Sequence, residues 1–311
     1  MLDVLSGFTT IWVVIGLGML LAQLRVMDTA GEFVLNKLSF TLGMPALMFV
    51  TLSHADVARI FSKNVIVALA SVIISGGLYL VLARIRWHPH AGHSVIGAFC
   101  SCYVNANNMG LPIAAYVMKD TSWVAPILLM QQGFLQPIGL SVLDLLETRH
   151  SGRTASWISN ATVPLRNPMT IGVLSGLVVN LAGFRVPQLA ESTLSMLGGL
   201  AVPCMLIAYG ISLRCGPKLQ MRHSSETITV SAIKLFVQPF VALAFCLLLG
   251  VNRETALAAV VMAGLPTAQN VFVFSSRYAT AEGFARDVIL VTTICSIATI
   301  AGFAALVHVI W

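Results

Sequence analysis

Stretches without a single charged residue constrain this chain more than any other feature of its sequence. There are ten of them, and each has roughly 18 residues or more. A helix that rises about 1.5 Å per residue needs about 20 such residues to cross a hydrocarbon core about 30 Å thick. The pattern therefore predicts an all-α integral membrane protein with about ten transmembrane helices. Predicted helices 1 to 10 fall within residues 4–24, 38–55, 64–83, 87–118, 121–143, 167–184, 192–213, 235–252, 255–276 and 288–311.

The charged residues lie mostly between these apolar windows. They make up only 10% of the chain, whereas a soluble domain carries roughly 25%. The net charge of +6 is spread over loops instead of forming a basic stripe, which argues against nucleic acid as a partner. Eleven of the 18 Lys and Arg residues flank the loops after predicted helices 1, 3, 5, 7 and 9. The positive-inside rule places these loops in the cytoplasm. We expect a multi-pass protein of the cell (inner or plasma) membrane, surrounded by lipid, with both termini non-cytoplasmic.

The sequence also contains an internal repeat. The string Gly-Leu-Pro-x-Ala occurs at 110–114 in predicted helix 4 and again at 264–268 in predicted helix 9. Pro45 and Pro203, and likewise Gly18 and Gly176, repeat at a nearly equal offset. Because each half would contain five helices, an odd number, the second half must enter the membrane in the opposite orientation. The sequence therefore predicts two inverted five-helix repeats, at 1–146 and 167–311, joined by a cytoplasmic linker at 147–166. Such repeats are characteristic of secondary transporters.

A proline lies near the middle of predicted helices 4 and 9, at Pro112 and Pro266. Proline lacks an N–H and clashes with the carbonyl one turn earlier, so it breaks or kinks a helix. Backbone groups freed by a break must face protein or a wet cavity, because lipid cannot bond them. We expect Pro112 and Pro266 to open second half-helices whose N-terminal amides bind an anion where the two helices cross. A simple proline kink is the alternative interpretation.

Amide side chains flank both predicted breaks. Polar groups at membrane depth are expensive unless they are bonded, and they usually face the interior of the helix bundle. Some of them must bond the freed backbone, and others can hold a substrate; the sequence leaves both roles open. The candidate substrate-binding residues are Asn105, Asn107, Asn108, Gly110, Pro112, Gln131, Gln132, Pro266, Thr267, Gln269 and Asn270.

The sequence lacks the common motifs of ATP-driven pumps, metalloproteases and serine hydrolases. The chain contains no phosphate-binding G-x-x-x-x-G-K-[ST] string, no H-E-x-x-H and no G-x-S-x-G, so we expect neither an enzyme nor a bound cofactor. The histidines of 88–93 are interpreted as an exposed cytoplasmic turn and not as a metal site. Lys234 is interpreted as an anchor whose side chain reaches the membrane surface. The six cysteines are interpreted as small buried residues.

An ordered set of motifs resembles the auxin-efflux-carrier family, which comprises plant PIN-type auxin transporters and bacterial relatives described as malate or malonate permeases. The motifs are Leu35-Asn36-Lys37-Leu38 followed by Met44-Pro45-Ala46-Leu47, Asn105 with Met109-Gly110-Leu111-Pro112, Arg166-Asn167-Pro168, Lys234 with Pro239, and Leu265-Pro266 with Phe272-Val273-Phe274 and Tyr278.

The resemblance implies ten helices in inverted repeats, an X-shaped crossover of helices 4 and 9, and transport of organic anions by alternating access. It places the crossover asparagine of the family at Asn105, its prolines at Pro112 and Pro266, and a helix-5 glutamine at Gln131 or Gln132. It also implies a homodimer. The long cytoplasmic loop of the plant members is absent, which puts auxin itself in doubt as the substrate.

The leading hypothesis is a secondary carrier for small carboxylates, such as malate, malonate or auxin-like acids, bound at the crossover. Helices 3–5 and 8–10 would move and carry the crossover with them. A sodium-coupled symporter for organic anions is one alternative. A membrane-embedded sensor of organic acids is another.

Overall fold

The computed structural model describes residues 2–55, 63–110, 113, 114, 118, 121–150, 168–215 and 224–311. Within these ranges all regular structure is helical except for one isolated antiparallel β-bridge. The helices, numbered along the chain, are α1 (Leu2–Gln23), α2 (Thr29–Ser53), α3 (Lys63–Trp87), α4 (Ala91–Cys102), α5 (Ala125–Met130, Gln131–Leu135 and Gln136–His150 in succession), α6 (Pro168–Leu181), α7 (Gln188–Cys215), α8 (Ser224–Leu249), α9 (Arg253–Ala263), α10 (Asn270–Arg277) and α11 (Glu282–Ile310).

Six helices in the described ranges are long and apolar enough to cross a membrane: α2, α3, α5, α7, α8 and α11. The chain is thus an all-helical protein with multiple candidate membrane spans. The structure interrupts the windows predicted as helices 4 and 9, and α6 has only 14 described residues. The arrangement of ten helices therefore stays a prediction. Helix α5 runs to His150, through the first residues of the predicted linker, and residues 151–167 lie outside the described ranges.

Local π-helical segments explain how three long helices accommodate a proline. The segments Ser39–Gly43, Gln131–Leu135 and Ile233–Val237 each end two residues before a proline. A π-helical turn shifts the hydrogen-bonding pattern, which removes the clash between the proline ring and the preceding carbonyl. These helices consequently continue through their prolines. The segments in α5 and α8 also contain buried polar side chains, which become important at the candidate site.

The helices pack as two groups. Helices α1, α2, α6 and α7 contact one another, while α3, α4, α5, α8, α9, α10 and α11 form the second group. Glycines bring the pairs of the first group together. A Cβ on Gly18 of α1 would meet the backbone of α7 around Gly210, and a Cβ on Gly176 of α6 would meet the backbone of α2 at Phe49. Small residues of this kind let membrane helices approach closely.

The prediction for the cysteines is confirmed only in part. All six are free thiols; Cys100, Cys102 and Cys246 are buried, whereas Cys215 and Cys295 are exposed. Cys215 is the last residue of α7, and Cys295 lies within α11.

Candidate substrate-binding site

The two helix interruptions lie directly against each other. Helix α4 ends at Cys102 and α9 ends at Ala263. Beyond these ends, Val104 and Thr267 form the antiparallel β-bridge. The Asn105 N–H donates to the Pro266 carbonyl at 2.9 Å, and the Ala268 N–H donates to the Tyr103 carbonyl at 3.0 Å. The backbone groups released by one break are thus bonded by the other, which meets the requirement for paired polar groups inside a membrane.

This pairing corrects the expected role of Pro266. The second half-helix, α10, begins at Asn270 and not at Pro266, because Thr267 is held in the extended bridge. The Thr267 N–H donates to Oγ1 of Thr292 at 3.2 Å, and the Ala268 N–H is bonded to Tyr103. In this conformation both amides bond protein acceptors, and anion binding after Pro266 stays a prediction. Pro112, the equivalent residue of the first break, lies outside the described residues.

Four side chains donate hydrogen bonds to backbone carbonyls at or beside the interruptions. Nε2 of Gln131 donates to Val104 at 3.1 Å, and Nε2 of Gln238 donates to Cys102 at 3.0 Å. Oγ1 of Thr267 donates to the Cys100 carbonyl at 2.6 Å, and Nζ of Lys234 donates to the Ala263 carbonyl at 2.9 Å. In this conformation Gln131 and Thr267, both predicted as substrate ligands, bond the protein backbone.

The interpretation of Lys234 as a surface anchor is wrong. Its side chain has no exposed area and lies in the π-helical segment Ile233–Val237 of α8. A cation beside the last carbonyl of α9 also stabilises the negative end of that helix dipole. The sequence signal was present, since Lys234 interrupts an apolar window, but the neighbouring helix that receives its hydrogen bond cannot be inferred from periodicity.

The other predicted residues lie around the paired breaks. Asn105 and Asn270 are buried, and the Asn270 side chain bonds the Tyr103 hydroxyl. Gly110 packs closely on the second break, because a Cβ there would lie 3.1 Å from Cδ1 of Leu265. Gln132 is buried, and neither atom of its amide group has a hydrogen-bond partner.

Asn107 and Asn108 belong to a π-helical turn, Ala106–Gly110, and their side chains lie outside the described part of the chain.

Gln269 lies in a pocket that includes a residue missed by sequence reasoning. The pocket also contains Arg286, which the topology argument counted as a loop cation. Helix α11 begins at Glu282, so Arg286 and Asp287 lie inside the helix, and both are buried. Residues of α2 and α7, which are distant in sequence, line the same pocket as Arg286. No local pattern in the sequence indicates it.

A second buried polar cluster corrects the interpretation of the histidine stretch. His88 and His90 are exposed, as expected, but His93 is buried in α4. Nε2 of His93 lies 3.1 Å from Oε1 of Glu226, which also accepts a hydrogen bond from the Tyr79 hydroxyl at 2.8 Å. In the described residues no group of three or more His, Cys, Asp or Glu side chains is placed to hold a metal ion.

Comparison with known proteins identifies related sequences. The family described as "Membrane transport protein" matches residues 4–163 and 155–304. A Rhizobium meliloti protein named "Putative malonate transporter" is 25% identical over 293 residues, which cover 91% of this chain and 90% of that protein. An "Uncharacterized transporter" of Methanothermobacter thermautotrophicus is 25% identical over 262 residues, 83% of each chain. The "Uncharacterized transporter YfdV" of Escherichia coli (strain K12) is 22% identical over 265 residues, 81% of this chain and 80% of that protein.

The family match extends over nearly the whole chain, and all three relatives carry the word transporter in their names. Long apolar helices agree with this assignment to a multi-pass membrane protein. The chain therefore belongs to the membrane transport protein family, the auxin-efflux-carrier family that its motifs resemble.

Proposed function

We propose that this protein is a secondary transporter of small organic anions, which it moves by alternating access to a site at the paired helix interruptions. The observation that carries the proposal is the backbone pairing of residues 103–105 with 266–268 inside the helix bundle. Irregular backbone at membrane depth occurs in transporters where discontinuous helices form a substrate site. The relative named as a malonate transporter supports a short carboxylate as the substrate.

The proposal includes ten transmembrane helices in two inverted five-helix repeats, with α4 and α9 as the interrupted crossover helices. Two observations support it. The interruptions pair in antiparallel orientation. In addition, Gly18 and Gly176, which occupy equivalent positions in the two repeats, make equivalent contacts: Gly18 joins α1 to α7, and Gly176 joins α6 to α2. The cytoplasmic linker and non-cytoplasmic termini belong to the same proposal.

Alternating access would then move the group α3, α4, α5, α8, α9, α10 and α11 relative to the group α1, α2, α6 and α7. The grouping follows the packing of the helices, because contacts are dense within each group. Of the predicted ligands, Gln132, Gln269, Asn270 and Asn105 are the best placed to bind the anion through side-chain amides. Gln132 has the clearest case, since burial of an amide without partners is costly and a ligand would relieve that cost.

Transport by the purified protein tests the proposal. Proteoliposomes preloaded with unlabelled malonate are supplied with radiolabelled malonate, malate, acetate or indole-3-acetate, with protein-free liposomes as the control. We expect exchange of at least one acid, and its loss in an Asn105→Ala variant that melts at the wild-type temperature. Binding without exchange would instead indicate a sensor. Replacement of sodium by choline distinguishes a sodium-coupled symporter from the carrier proposed here.

A further inference from the structure

The pocket around Arg286 lies at the boundary of the two helix groups. It is lined by Glu32 and Asn36 of α2, Tyr209 and Ser212 of α7, Gln269 just before α10, and Arg286 of α11. The first four belong to one helix group and the last two to the other. The pocket is narrow in this conformation, with a volume of about 20 Å³, so a ligand that reached Arg286 from outside would contact residues of both groups.

Arg286 carries a charge that its surroundings do not neutralise by direct bonding. The side chain is only 6% exposed, and both Nε and Nη1 are buried without a hydrogen-bond partner. A guanidinium remains protonated at any physiological pH. Burial of a charge is strongly unfavourable unless it is paired. An anion at this position would pair the charge of Arg286 and bond its free N–H groups, and guanidinium geometry suits a carboxylate.

Acidic residues near Arg286 do not supply that bond. Glu32 interacts electrostatically with Arg286, but its carboxylate bonds the Ser212 hydroxyl and is only partly buried. Asp287 follows Arg286 directly in α11, and adjacent residues of a helix do not face each other. Glu32 thus lowers the energy of the buried charge from a distance, while leaving Nε and Nη1 of Arg286 unbonded.

A groove leads to the pocket from the side of α2. It has a volume of about 550 Å³, runs between α2 and α10, and shares Glu32, Asn36, Phe272 and Val273 with the Arg286 pocket. Lys37 and Arg277 line the groove. Two cations along an access route raise the local concentration of small anions.

We propose that Arg286 binds a carboxylate of the transported acid, with the Gln269 and Asn36 amides beside it. The negative charge of Glu32 offsets part of the charge of Arg286 and repels the acid, so it weakens binding. This inference rests on the proposed function and names the residue that recognises the substrate. Removal of the Glu32 charge should therefore tighten binding, and removal of the Arg286 charge should weaken it.

Binding to the full-length purified protein tests the assignment. Calorimetric titration uses malonate and acetate as probes, with uncharged malonamide as the control ligand. We expect Arg286→Gln to weaken malonate binding by at least about tenfold, Arg286→Lys to weaken it less, and Glu32→Gln to tighten it severalfold. The matched control is Arg253→Gln, an exposed arginine on α9 whose loss should leave binding unchanged. Malonamide should bind none of the proteins.

Two outcomes would overturn the assignment: unchanged malonate affinity in folded Arg286→Gln, or unchanged or weaker affinity in Glu32→Gln. The second result decides the matter even if Arg286→Gln does not fold. Malonate exchange in proteoliposomes separates this inference from the function on which it rests. If the wild type exchanges malonate and both Arg286→Lys and Glu32→Gln do so with the wild-type KM, Arg286 is not the ligand. The proposal that the protein is a carrier would then be unaffected. Absence of exchange of any acid by the wild type would reject the carrier itself.

Discussion

The ammonium of Lys234 donates a hydrogen bond to the Ala263 carbonyl over 2.9 Å, at the last residue of α9 before the second interruption. Lys63 makes a hydrogen bond of the same length to the Leu249 carbonyl near the end of α8, but this bond is exposed. The chain thus contains two lysines that bond a helix end in the same way and differ in burial.

The first prediction uses this pair. Lys234→Met should lower the free energy of unfolding by about 1–3 kcal/mol, because the buried Ala263 carbonyl loses its partner. Lys63→Met should change it by no more than about 0.5 kcal/mol, since water replaces the lost bond. Thermal melting in detergent, followed by size-exclusion fluorescence, measures both. Equal melting temperatures for the two variants would show that burial of the bond does not matter.

Adjacent glutamines in α5 should respond in opposite directions. Gln131→Leu removes one of two donors to the Val104 carbonyl, which keeps its bond from the Ala106 N–H, and should destabilise the protein by about 0.5–1.5 kcal/mol. Gln132→Leu removes an amide without partners and should leave stability unchanged or raise it, while it weakens uptake of the transported acid. Melting curves and uptake by the same preparations provide the comparison. A stable Gln131→Leu and an unstable Gln132→Leu would contradict the assignment of roles.

Glycines two positions apart in α1 should differ in their tolerance of a side chain. A Cβ on Gly18 meets the α7 backbone, whereas a Cβ on Gly16 meets nothing within 4 Å. Gly18→Val should reduce the yield of monodisperse protein severely, because backbone atoms cannot move aside without separating the helices. Gly16→Val should express like the wild type. Gly176→Val tests the repeat, since the proposed symmetry predicts a defect equal to that of Gly18→Val.

The buried cluster around Glu226 should stabilise the fold. Glu226→Ala leaves the Tyr79 hydroxyl and the His93 ring without their shared acceptor, and should cost about 3 kcal/mol or more in unfolding free energy. Glu254→Ala, at an exposed position in α9, is the matched control. Melting of both variants in one detergent gives the difference. If Glu226→Ala melts at the same temperature as Glu254→Ala, the cluster does not stabilise the fold.

The sequence predicted the broad features of this protein and missed those that depend on distant packing. Charge-free windows locate the long helices, and the second Gly-Leu-Pro string, at 264–266, locates the second interruption. The first interruption lies at 103–105, before the first string, whose Leu111 and Pro112 are outside the described residues. The start of α10 was misplaced, because the hydrogen bonds that keep Thr267 extended come from residues far away in the sequence. Arg286 was counted among the loop charges, whereas it lies buried inside α11 in a pocket also lined by residues of α2 and α7.

The same limit applies to the amides. Their sequence positions show that they lie at membrane depth, but not which of them bonds backbone. Gln131 and Gln132 are adjacent and chemically identical, yet only Gln131 reaches the Val104 carbonyl. Adjacent residues of a helix point in different directions, so only one of the two can face the first interruption, and the sequence does not show which.

The bridge between Val104 and Thr267 joins two segments of the same helix group. Both strands of the bridge would therefore travel together when that group shifts against its neighbour. Its hydrogen bonds then persist from one state to the other, and no peptide group is stripped of its partner in a medium that cannot replace it. On the proposed mechanism, the barrier to such a shift would therefore come from side-chain contacts between the two groups, and the interrupted helices would add no unbonded peptide group to it.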